Sequence, residues 1–279
     1  MNGILIVNKD KDFTSRDVVN KVSNILHIKK IGHTGTLDPI ATGVLVLCIG
    51  KCTKLVNFLT SKDKEYIAEF KLGIETDTLD ITGNILKEEK VNVSKEDIEN
   101  VINTFPKEYD QEVPKYSAVK INGKKLYQYA RANEVVSLPK RKVEIKEMEL
   151  LSIDNNIVKI RAKVSKGTYI RSLIKDIATN SNTIASMTSL VRTKQGNFSL
   201  DEACSLKDIE NNNYKLLTID EVFSDYEKRE IDNELAQKIK NGILIPYDFK
   251  DYILLTNNNE VIAVYQHYND EFAKPLIIF

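Results

Sequence analysis

Residues 32–45 read GHTGTLDPIATGVL, and this stretch decides more about the fold than any other. Its three glycines allow positive backbone φ angles and the close approach of a ligand. The apolar run at residues 44–49 predicts a buried strand directly after them. A single acid, Asp38, stands before a proline in the polar part. The sequence therefore predicts a glycine-rich loop at residues 29–40 that carries an acid and leads into a buried strand.

Asp38 itself has two interpretations. Its side chain can bond nearby backbone amides in a turn before Pro39, and for a lone Asp-Pro pair that structural role is the better explanation. A plain turn, however, does not require the His-Thr-Gly-Thr sequence that precedes this acid. A phosphate-binding loop is excluded, because its pattern would need a glycine at Leu45 and a hydroxyl at Cys52. Asp38 is therefore a candidate functional acid.

The flanking sequence predicts an α+β fold. Thr14 with Asp17, and Ser94 with Asp97, form two capping boxes that start helices. Strand and helix patterns do not alternate regularly, which excludes repeated βαβ units. Further helices are predicted at residues 53–60 and 168–179, the second with Thr168 as its N-cap, and strands at residues 3–8, 43–49, 64–72, 143–152, 157–165 and 187–194.

The chain has 279 residues, 42% of them hydrophobic, which allows one large domain and a small one. Its composition becomes acidic and asparagine-rich near residues 200–228, and short strand patterns follow. We predict a large domain at residues 1–228 and a small, mostly β domain at residues 229–279.

The sequence also predicts a cytoplasmic location. No apolar run approaches the length of a membrane span, and the N-terminus lacks the features of a signal peptide. The three cysteines fit a reducing compartment. Cys48 and Cys52 have no second pair of ligands nearby, so no metal site is predicted.

Charge is unevenly distributed along the chain. The formal net charge is zero, which alone argues against a nucleic-acid partner. Residues 115–175, however, hold fifteen basic and five acidic residues, and residues 201–234 hold eleven acidic and four basic ones. Either a polyanion binds to one face, or these are two ordinary solvated surfaces. Within the basic half, residues 113–145 are weakly periodic and are predicted to leave the core.

Two further groups of residues can carry chemistry. Tyr169 and Arg171 fall at a predicted helix start, where an arginine and a phenol can hold a carboxylate or a phosphate. The alternative is a surface arginine beside a tyrosine packed in the core. Tyr66 lies in a predicted strand, either as a core residue or as a platform for a nucleic-acid base.

Taken together, these segments resemble the TruB family of tRNA pseudouridine synthases. The resemblance covers residues 1–200, and the C-terminal segment resembles a short PUA-type RNA-binding domain. Two places depart from the family pattern: Asp10 and Asp12 stand where Pro and Gly are usual, and Val113 replaces the first of two prolines. The matching segments are residues 32–45, 64–66, 73–83, 116–131 and 167–171, with Leu190 and Arg192.

The resemblance implies a fold and an activity. The fold is a catalytic domain with a mixed, largely antiparallel sheet and flanking helices, in which residues 113–145 are an insertion that grips RNA. A PUA-like domain follows it. The activity is isomerisation of the uridine at position 55, in the T arm of tRNA, without a cofactor or metal. The expected partner is the tRNA T stem-loop, bound by a monomer without a protein partner.

The resemblance also implies roles for individual residues. Asp38 would be the nucleophile, held in orientation by Arg171. Tyr66 would stack on the base and accept a proton, and Tyr169 would hydrogen-bond nearby. His33 would fill the space left by flipped bases, and Leu190 would close the floor of the pocket. The remaining predicted contacts to RNA are Lys9, Thr36, Lys64, Asp80, Tyr116, Lys120 and Arg131.

Three other functions remain as alternatives. The first is a non-catalytic protein that binds or folds RNA, in which Asp38 is dispensable. The second is a synthase that needs a separate guide RNA, which the short C-terminal domain disfavours. The third, a nucleotide-hydrolysing enzyme, is weak because no phosphate-binding loop fits the sequence.

Overall fold

The computed structural model describes all 279 residues. The strands are Gly3–Lys9 (β1), Ile31–His33 (β2), Thr42–Ile49 (β3), Lys64–Leu72 (β4), Ile74–Thr76 (β5), Ile85–Glu88 (β6), Glu108–Glu112 (β7), Lys120–Ile121 (β8), Lys124–Lys125 (β9), Lys140–Asp154 (β10), Ile157–Val164 (β11), Ala185–Gln195 (β12), Phe198–Ser199 (β13), Leu216–Leu217 (β14), Glu227–Glu230 (β15), Ile245–Pro246 (β16), Tyr252–Asn257 (β17), Glu260–His267 (β18) and Phe272–Ile278 (β19). The α-helices are Ser15–Leu26 (α1), Val56–Thr60 (α2), Lys95–Thr104 (α3), Leu126–Arg131 (α4), Ile170–Asn180 (α5), Leu206–Glu210 (α6), Ile219–Val222 (α7) and Asn233–Lys240 (α8), with 3₁₀ turns at Gly50–Leu55 and Leu200–Glu202.

A ten-stranded sheet forms the centre of the molecule. Its main order is β14-β1-β3-β12-β4-β11-β10-β7, with β2 added to β3 and β13 added to β12. Every pair is antiparallel except β3 with β12. Two smaller hairpins, β5–β6 and β8–β9, lie outside it. The predicted α+β class and the mixed, largely antiparallel sheet are confirmed.

Both faces of β1 and β3 are buried, which explains why their sequences are apolar without a gap. Odd-numbered residues such as Leu5 and Leu47 pack against α1 and α6. Even-numbered residues such as Ile4 and Val46 face the other way, towards Phe58 and the C-terminal strands. Strands β4, β11 and β12 instead bury one face against α3 and α5.

The C-terminal strands form a separate five-stranded sheet in the order β15-β17-β18-β19-β16. Helix α8, which the sequence analysis missed, packs on this sheet through Ala236 and Ile239. Leu254 and Val264 on the other side of the sheet join the same apolar cluster as Val46. The small sheet is thus packed directly on the central one.

Both predicted capping boxes are present, at Thr14 with Asp17 and at Ser94 with Asp97. The predicted cap of α5 is wrong. The hydroxyl of Thr168 donates to the Ser165 carbonyl at 2.9 Å, and the N-cap is the next residue, whose side chain makes no capping bond.

The predicted loop and excursion also differ in extent from the structure. Residues 29–40 are interrupted by β2, which pairs with the end of β3. Residues 140–145 belong to β10, because residues 140–144 pair with β7 and Ile145 pairs with β11. The excursion from the sheet therefore covers residues 114–139. None of the helices is both long and apolar enough to cross a membrane.

One row of paired residues crosses the centre of the sheet. Lys9 pairs with Gly43, Gly43 with Arg192, and Arg192 with Tyr66. Adjacent strands lie roughly 4.8 Å apart, so the end of the glycine-rich loop lies about 10 Å from Tyr66. This row sets the position of the candidate site.

Gly43 is the tightest point of that row. Its φ is +98°, and a Cβ there would lie 2.3 Å from the Arg192 carbonyl oxygen. We expect Gly43→Ala to lower the free energy of unfolding by about 3 kcal/mol or more, from backbone strain and overpacking together. Gly123→Ala is the matched control, because its φ is +80° and a Cβ there meets nothing within 4 Å. Urea unfolding should show a loss of about 1 kcal/mol for the control. Equal losses would contradict the close-approach argument.

Candidate active site

Asp38 binds Arg171 through both carboxylate oxygens. Arg171 Nε lies 2.9 Å from Oδ2, and Nη2 lies 3.3 Å from Oδ1. A turn is also present, since the Asp38 carbonyl accepts the N–H of Ala41. The turn uses the backbone, however, and the side chain is committed to the arginine. The structural alternative considered for Asp38 therefore does not explain its carboxylate.

Arg171 joins three segments that are distant in sequence. Besides Asp38, its Nη2 donates to the Tyr116 carbonyl at 3.0 Å and its Nη1 to the Thr78 carbonyl at 2.8 Å. Asp80 Oδ2 lies 3.8 Å from Nη1. The Arg171 side chain is only 7% exposed, whereas that of Asp38 is 35% exposed. The guanidinium is thus buried, and the Asp38 carboxylate is partly open to solvent. The region between Asp38 and the segments at Thr78 and Tyr116 is called the cleft below.

Asp38 is subject to opposing electrostatic effects. Burial of its surroundings raises its pKa above the usual value, and the Asp80 carboxylate adds to this rise. Arg171, and more weakly Lys9, favour the ionised form. Burial has the largest effect, so the net direction is upward. The arginine therefore favours the ionised carboxylate as well as orienting it.

Asp80 itself is a support for this arrangement. It is buried, and its Oδ1 accepts hydrogen bonds from the hydroxyls of Thr78 and Thr82. Its other oxygen faces Arg171. The predicted RNA contact is therefore placed behind the arginine, where it holds the segment around Thr78 in shape.

The loop that carries Asp38 is held from beneath by groups that sequence reasoning did not identify. Ser15, at the start of α1, accepts the N–H of Leu37 through its hydroxyl at 2.9 Å. Arg192 is 1% exposed and donates from Nε to the Val44 carbonyl and from Nη2 to the Gly35 carbonyl. The family resemblance named Arg192 but gave it no role, and Ser15 carried no signal beyond its place in the helix start.

Two lysines predicted to contact RNA are buried instead. Lys9 Nζ donates to carbonyls including those of Phe13 at 2.6 Å and Pro39 at 3.3 Å. Lys64 Nζ donates to the carbonyls of Thr60 and Lys62. Burial lowers the pKa of each lysine to about 8. Both ammonium groups are therefore used to hold loops beside the cleft.

Tyr66 and Leu190 lie in one apolar cluster with Leu37. Tyr66 is 8% exposed, and its hydroxyl makes no hydrogen bond within the protein. Leu190 is also buried and lies one strand away, opposite Ala68. The structure thus places the ring of Tyr66 and the side chain of Leu190 in the same cluster as the residue that precedes Asp38.

Tyr169 is the N-cap of α5 and lies two residues before Arg171. Its side chain is half-buried, and its hydroxyl has no partner within the protein. On the rim of the cleft, Thr36 is exposed and His33 is partly buried. Burial, followed by the positive charges of Arg16 and Arg192, lowers the pKa of His33. His33 is therefore neutral at physiological pH.

The excess of basic residues is smaller on the surface than in the sequence. On β10, β11 and α5, six lysines and arginines form ion pairs with acids on neighbouring segments of the chain. These pairs are Lys142–Glu108, Lys146–Asp63, Lys159–Glu69, Arg161–Glu149, Lys163–Glu147 and Lys175–Glu112. Within residues 115–175, the cations without an acidic partner are Lys115, Lys120, Lys125, Arg131, Lys140, Arg141 and Lys166. Most of these lie in or beside the excursion at residues 114–139.

Three predicted RNA contacts lie in that excursion. Lys120 is exposed on the β8–β9 hairpin, and Arg131 is exposed at the end of α4, with its guanidinium 5.5 Å from the Tyr127 ring. The Tyr116 hydroxyl donates to Asp77 at 3.4 Å. Because the Tyr116 carbonyl binds Arg171, the base of the excursion is joined to the cleft.

The chain is similar to known proteins in sequence and in fold. A family model described as "TruB family pseudouridylate synthase (N terminal domain)" matches residues 23–170. A tRNA pseudouridine synthase B of Clostridium tetani is 43% identical over 271 residues, covering 95% of this chain and 92% of the relative. Its counterpart in Fusobacterium nucleatum is 43% identical over 288 residues, covering 96% and 100%. Among solved structures, a Cbf5-Nop10-Gar1 complex contains a chain with a TM-score of 0.74 and 23% identity, over 99% of this chain and 85% of that one.

The raised pKa of Asp38 predicts an effect on stability. An unfolded aspartate loses its proton near pH 3.8, and the folded one loses it at a higher pH. Between these two values the folded state binds more protons, so stability falls as pH rises through this window. We expect Asp38→Asn, which is never charged, to be more stable than the parent above the window and equal to it below. Urea unfolding between pH 3 and pH 8 measures this difference.

Asp80→Asn is the control for that experiment. Its side chain can keep one oxygen for the hydroxyls of Thr78 and Thr82, but an amide NH2 then faces Arg171 in place of Oδ2, so it should be less stable than the parent by about 1–3 kcal/mol. An Asp38→Asn protein that is less stable than the parent at pH 7 would contradict this expectation. It would show that the ion pair with Arg171 stabilises the folded state more than burial of the charged carboxylate destabilises it.

Proposed function

The chain belongs to the TruB family of pseudouridylate synthases and isomerises uridine to pseudouridine in tRNA, and we propose that its target is the uridine at position 55 of the T arm, with Asp38 as the nucleophile. The observation that carries the proposal is the two-point ion pair between Asp38 and Arg171 in the cleft wall. It leaves one edge of an oriented carboxylate open to a ligand.

The reaction exchanges one bond to the ribose for another. The bond between uracil N1 and ribose C1′ breaks, C5 of the turned base bonds to C1′, C5 loses its proton and N1 gains one. Asp38 attacks either the ribose or the uracil ring. In the first case its bond to C1′ breaks as C5 bonds to C1′, and in the second its bond to the ring breaks after that step. No bond is oxidised or hydrolysed overall. The proposal therefore requires no cofactor.

Tyr66 is the proposed partner of the base. Its ring belongs to an apolar cluster beside the loop, which suits stacking on an uncharged base. Its hydroxyl is free of protein hydrogen bonds, so the oxygen is available to the C5 proton. Leu190 closes the pocket on the neighbouring strand, and Tyr169 contributes a second free hydroxyl near Arg171.

The target base must leave its stack before Asp38 can reach it. His33, neutral and partly buried on the rim, fills the space that the extruded bases leave. Thr36, Lys120 and Arg131 are exposed and contact the sugar-phosphate backbone from the loop and the excursion. The C-terminal sheet serves as a PUA-like RNA-binding domain. The protein acts as a cytoplasmic monomer, without a guide RNA or a protein partner.

Asp38→Asn tests the nucleophile and the substrate together. The substrate is a T stem-loop with tritium at C5 of uridine 55, because pseudouridine formation releases that tritium. We expect the parent to release it without any added RNA or protein, and Asp38→Asn to release none while binding the stem-loop within about tenfold of the parent. Asp10→Asn is the control, since Asp10 is an exposed acid near the same loop without a side-chain bond. It should keep full activity.

Each part of the proposal has its own contradicting outcome. Tritium release by Asp38→Asn would exclude the nucleophile. Two results would exclude the T-arm target. One is activity on whole tRNA without activity on the stem-loop. The other is tritium release when position 55 carries unlabelled uridine and the label lies elsewhere. A requirement for a second RNA would favour the guided alternative.

Tyr66→Phe separates stacking from proton transfer. The ring remains, so binding of the stem-loop should not change. Loss of the proton acceptor should slow single-turnover conversion by about 10²–10⁴-fold, the usual contribution of general acid–base catalysis. Tyr66→Leu, which also lacks the ring, should weaken binding as well. Full single-turnover activity in Tyr66→Phe would exclude the hydroxyl from the reaction.

A further inference from the structure

Helix α5 carries Arg171 in its first turn, yet it begins without the usual side-chain cap. Its N-cap, Tyr169, makes no capping bond through its own side chain. The first backbone N–H groups of a helix have no partner inside the helix, and an end that is not capped frays readily. Something else must therefore hold this turn in place.

Gln111, on β7, supplies that restraint. Its Oε1 accepts the N–H of Tyr169 at 2.7 Å, and its Nε2 donates to the Tyr169 carbonyl at 3.1 Å. The amide thus pairs with the backbone of one residue through both of its ends. Gln111 is 1% exposed, so water does not compete for these bonds.

A second contact fixes the same helix further along. Gln111 Nε2 also donates to the Tyr109 hydroxyl at 2.7 Å, and that hydroxyl donates to Asp176 Oδ2 at 2.9 Å. Tyr109 and Gln111 are two residues apart on β7 and share one face. Asp176 lies about two helical turns after Tyr169 and therefore on the same side of α5. Strand β7 thus holds α5 through Gln111 and Tyr109, and also through Glu112, whose carbonyl accepts the Ser172 hydroxyl at 2.8 Å and whose carboxylate pairs with Lys175.

We propose that Gln111 is a positioning residue for the Asp38–Arg171 pair, acting through the backbone of Tyr169; this rests on the proposed roles of Asp38 and Arg171. The guanidinium of Arg171 meets three separate segments at once. A small shift of the first turn of α5 breaks the two-point contact with Asp38. Misplacing a reacting group by about 1 Å can cost 10²-fold in rate.

The role requires an amide at position 111. Leucine has a similar volume but leaves the N–H of Tyr169 without a partner. Glutamate keeps the acceptor but loses both donors, and it places a charge near Asp176 and Glu112. Only an amide offers one acceptor and two donors in this flat arrangement.

Gln111→Leu is the test, with Tyr109→Phe as its matched control. Tyr109→Phe removes the bonds of the hydroxyl to Asp176 and to Gln111 Nε2, and it leaves the two bonds between Gln111 and Tyr169 in place. Both variants lose buried hydrogen bonds and should unfold at lower temperature than the parent. We expect single-turnover conversion at 20 °C to fall by about 10–100-fold in Gln111→Leu and by less than about twofold in Tyr109→Phe. The affinity for the stem-loop should stay within about twofold in both.

The pH profile gives a readout that a purely structural role would not move. The groups that act on the ionisation of Asp38 are Arg171, which favours the charged form, Asp80, which opposes it, and Lys9. Displacing Arg171 removes the main stabilising charge, so the pKa of Asp38 should rise further. The acid limb of the rate profile should move to higher pH in Gln111→Leu and stay in place in Tyr109→Phe.

The outcomes separate this inference from the proposed function. A parent that does not convert the stem-loop overturns the proposed function. A parent that converts it, with Gln111→Leu equally fast or with an unmoved acid limb, overturns the role of Gln111 alone. Losses that match in the two variants also overturn it. If Gln111→Leu does not fold, Gln111→Glu, which has the same shape, takes its place with the same expected changes.

Discussion

The active cleft depends on one guanidinium group. Arg171 directs its N–H groups to the Asp38 carboxylate, to the carbonyls of Thr78 and Tyr116, and towards Asp80. The acceptors come from three stretches of chain that share no local structure. A planar group with five donors in fixed directions can satisfy them together, whereas an ammonium group at the end of a flexible chain cannot. The shape of the cleft therefore follows from the geometry of one side chain.

That side chain also sets the charge state of the acid. Removal from water makes ionised Asp38 less stable, and the neighbouring Asp80 does the same. Arg171 is buried beside both carboxylates and offsets part of this effect. The balance leaves a carboxylate that is weakly solvated and firmly oriented. A nucleophile benefits from both properties, because less water must be displaced and fewer orientations must be searched.

Other buried cations near the cleft are arranged differently. Lys9, Lys64 and Arg192 have no acidic partner, and their N–H groups bind backbone carbonyls instead. Carbonyl dipoles satisfy a cation without cancelling its charge. Three buried cations beside the loop that carries Asp38 therefore keep their charge. Such charges attract a polyanion such as RNA, even when the chain as a whole is neutral.

Local features were predictable from the sequence, and contacts between distant segments were not. The capping boxes, the strands β3 and β4 and the helical face of α1 follow from spacing within a few residues. The partnership of Asp38 and Arg171 came from the family resemblance, since 133 positions separate them. The burial of Lys9 and Lys64 was not predictable because a lysine is usually exposed, and only the fold shows the backbone carbonyls that bind each ammonium group. Gln111 carries no signal at all, because an amide in a short strand has no distinctive spacing.

The formal net charge of zero was a misleading argument against a nucleic-acid partner, also because contacts between side chains cannot be predicted from composition. In the acidic segment, Glu202, Asp208 and Glu221 accept the backbone N–H of the N-cap residue at three helix or turn starts. These acids stabilise local structure, just as Arg161 and Lys163 on β11 form ion pairs with acids on β10. Among the cations of residues 115–175, those that remain unpaired lie mostly in and beside the excursion, whose base binds Arg171 through the Tyr116 carbonyl. Which of these charges lack a partner therefore matters for the attraction of a polyanion, and the topology joins the segment that carries most of them to Arg171.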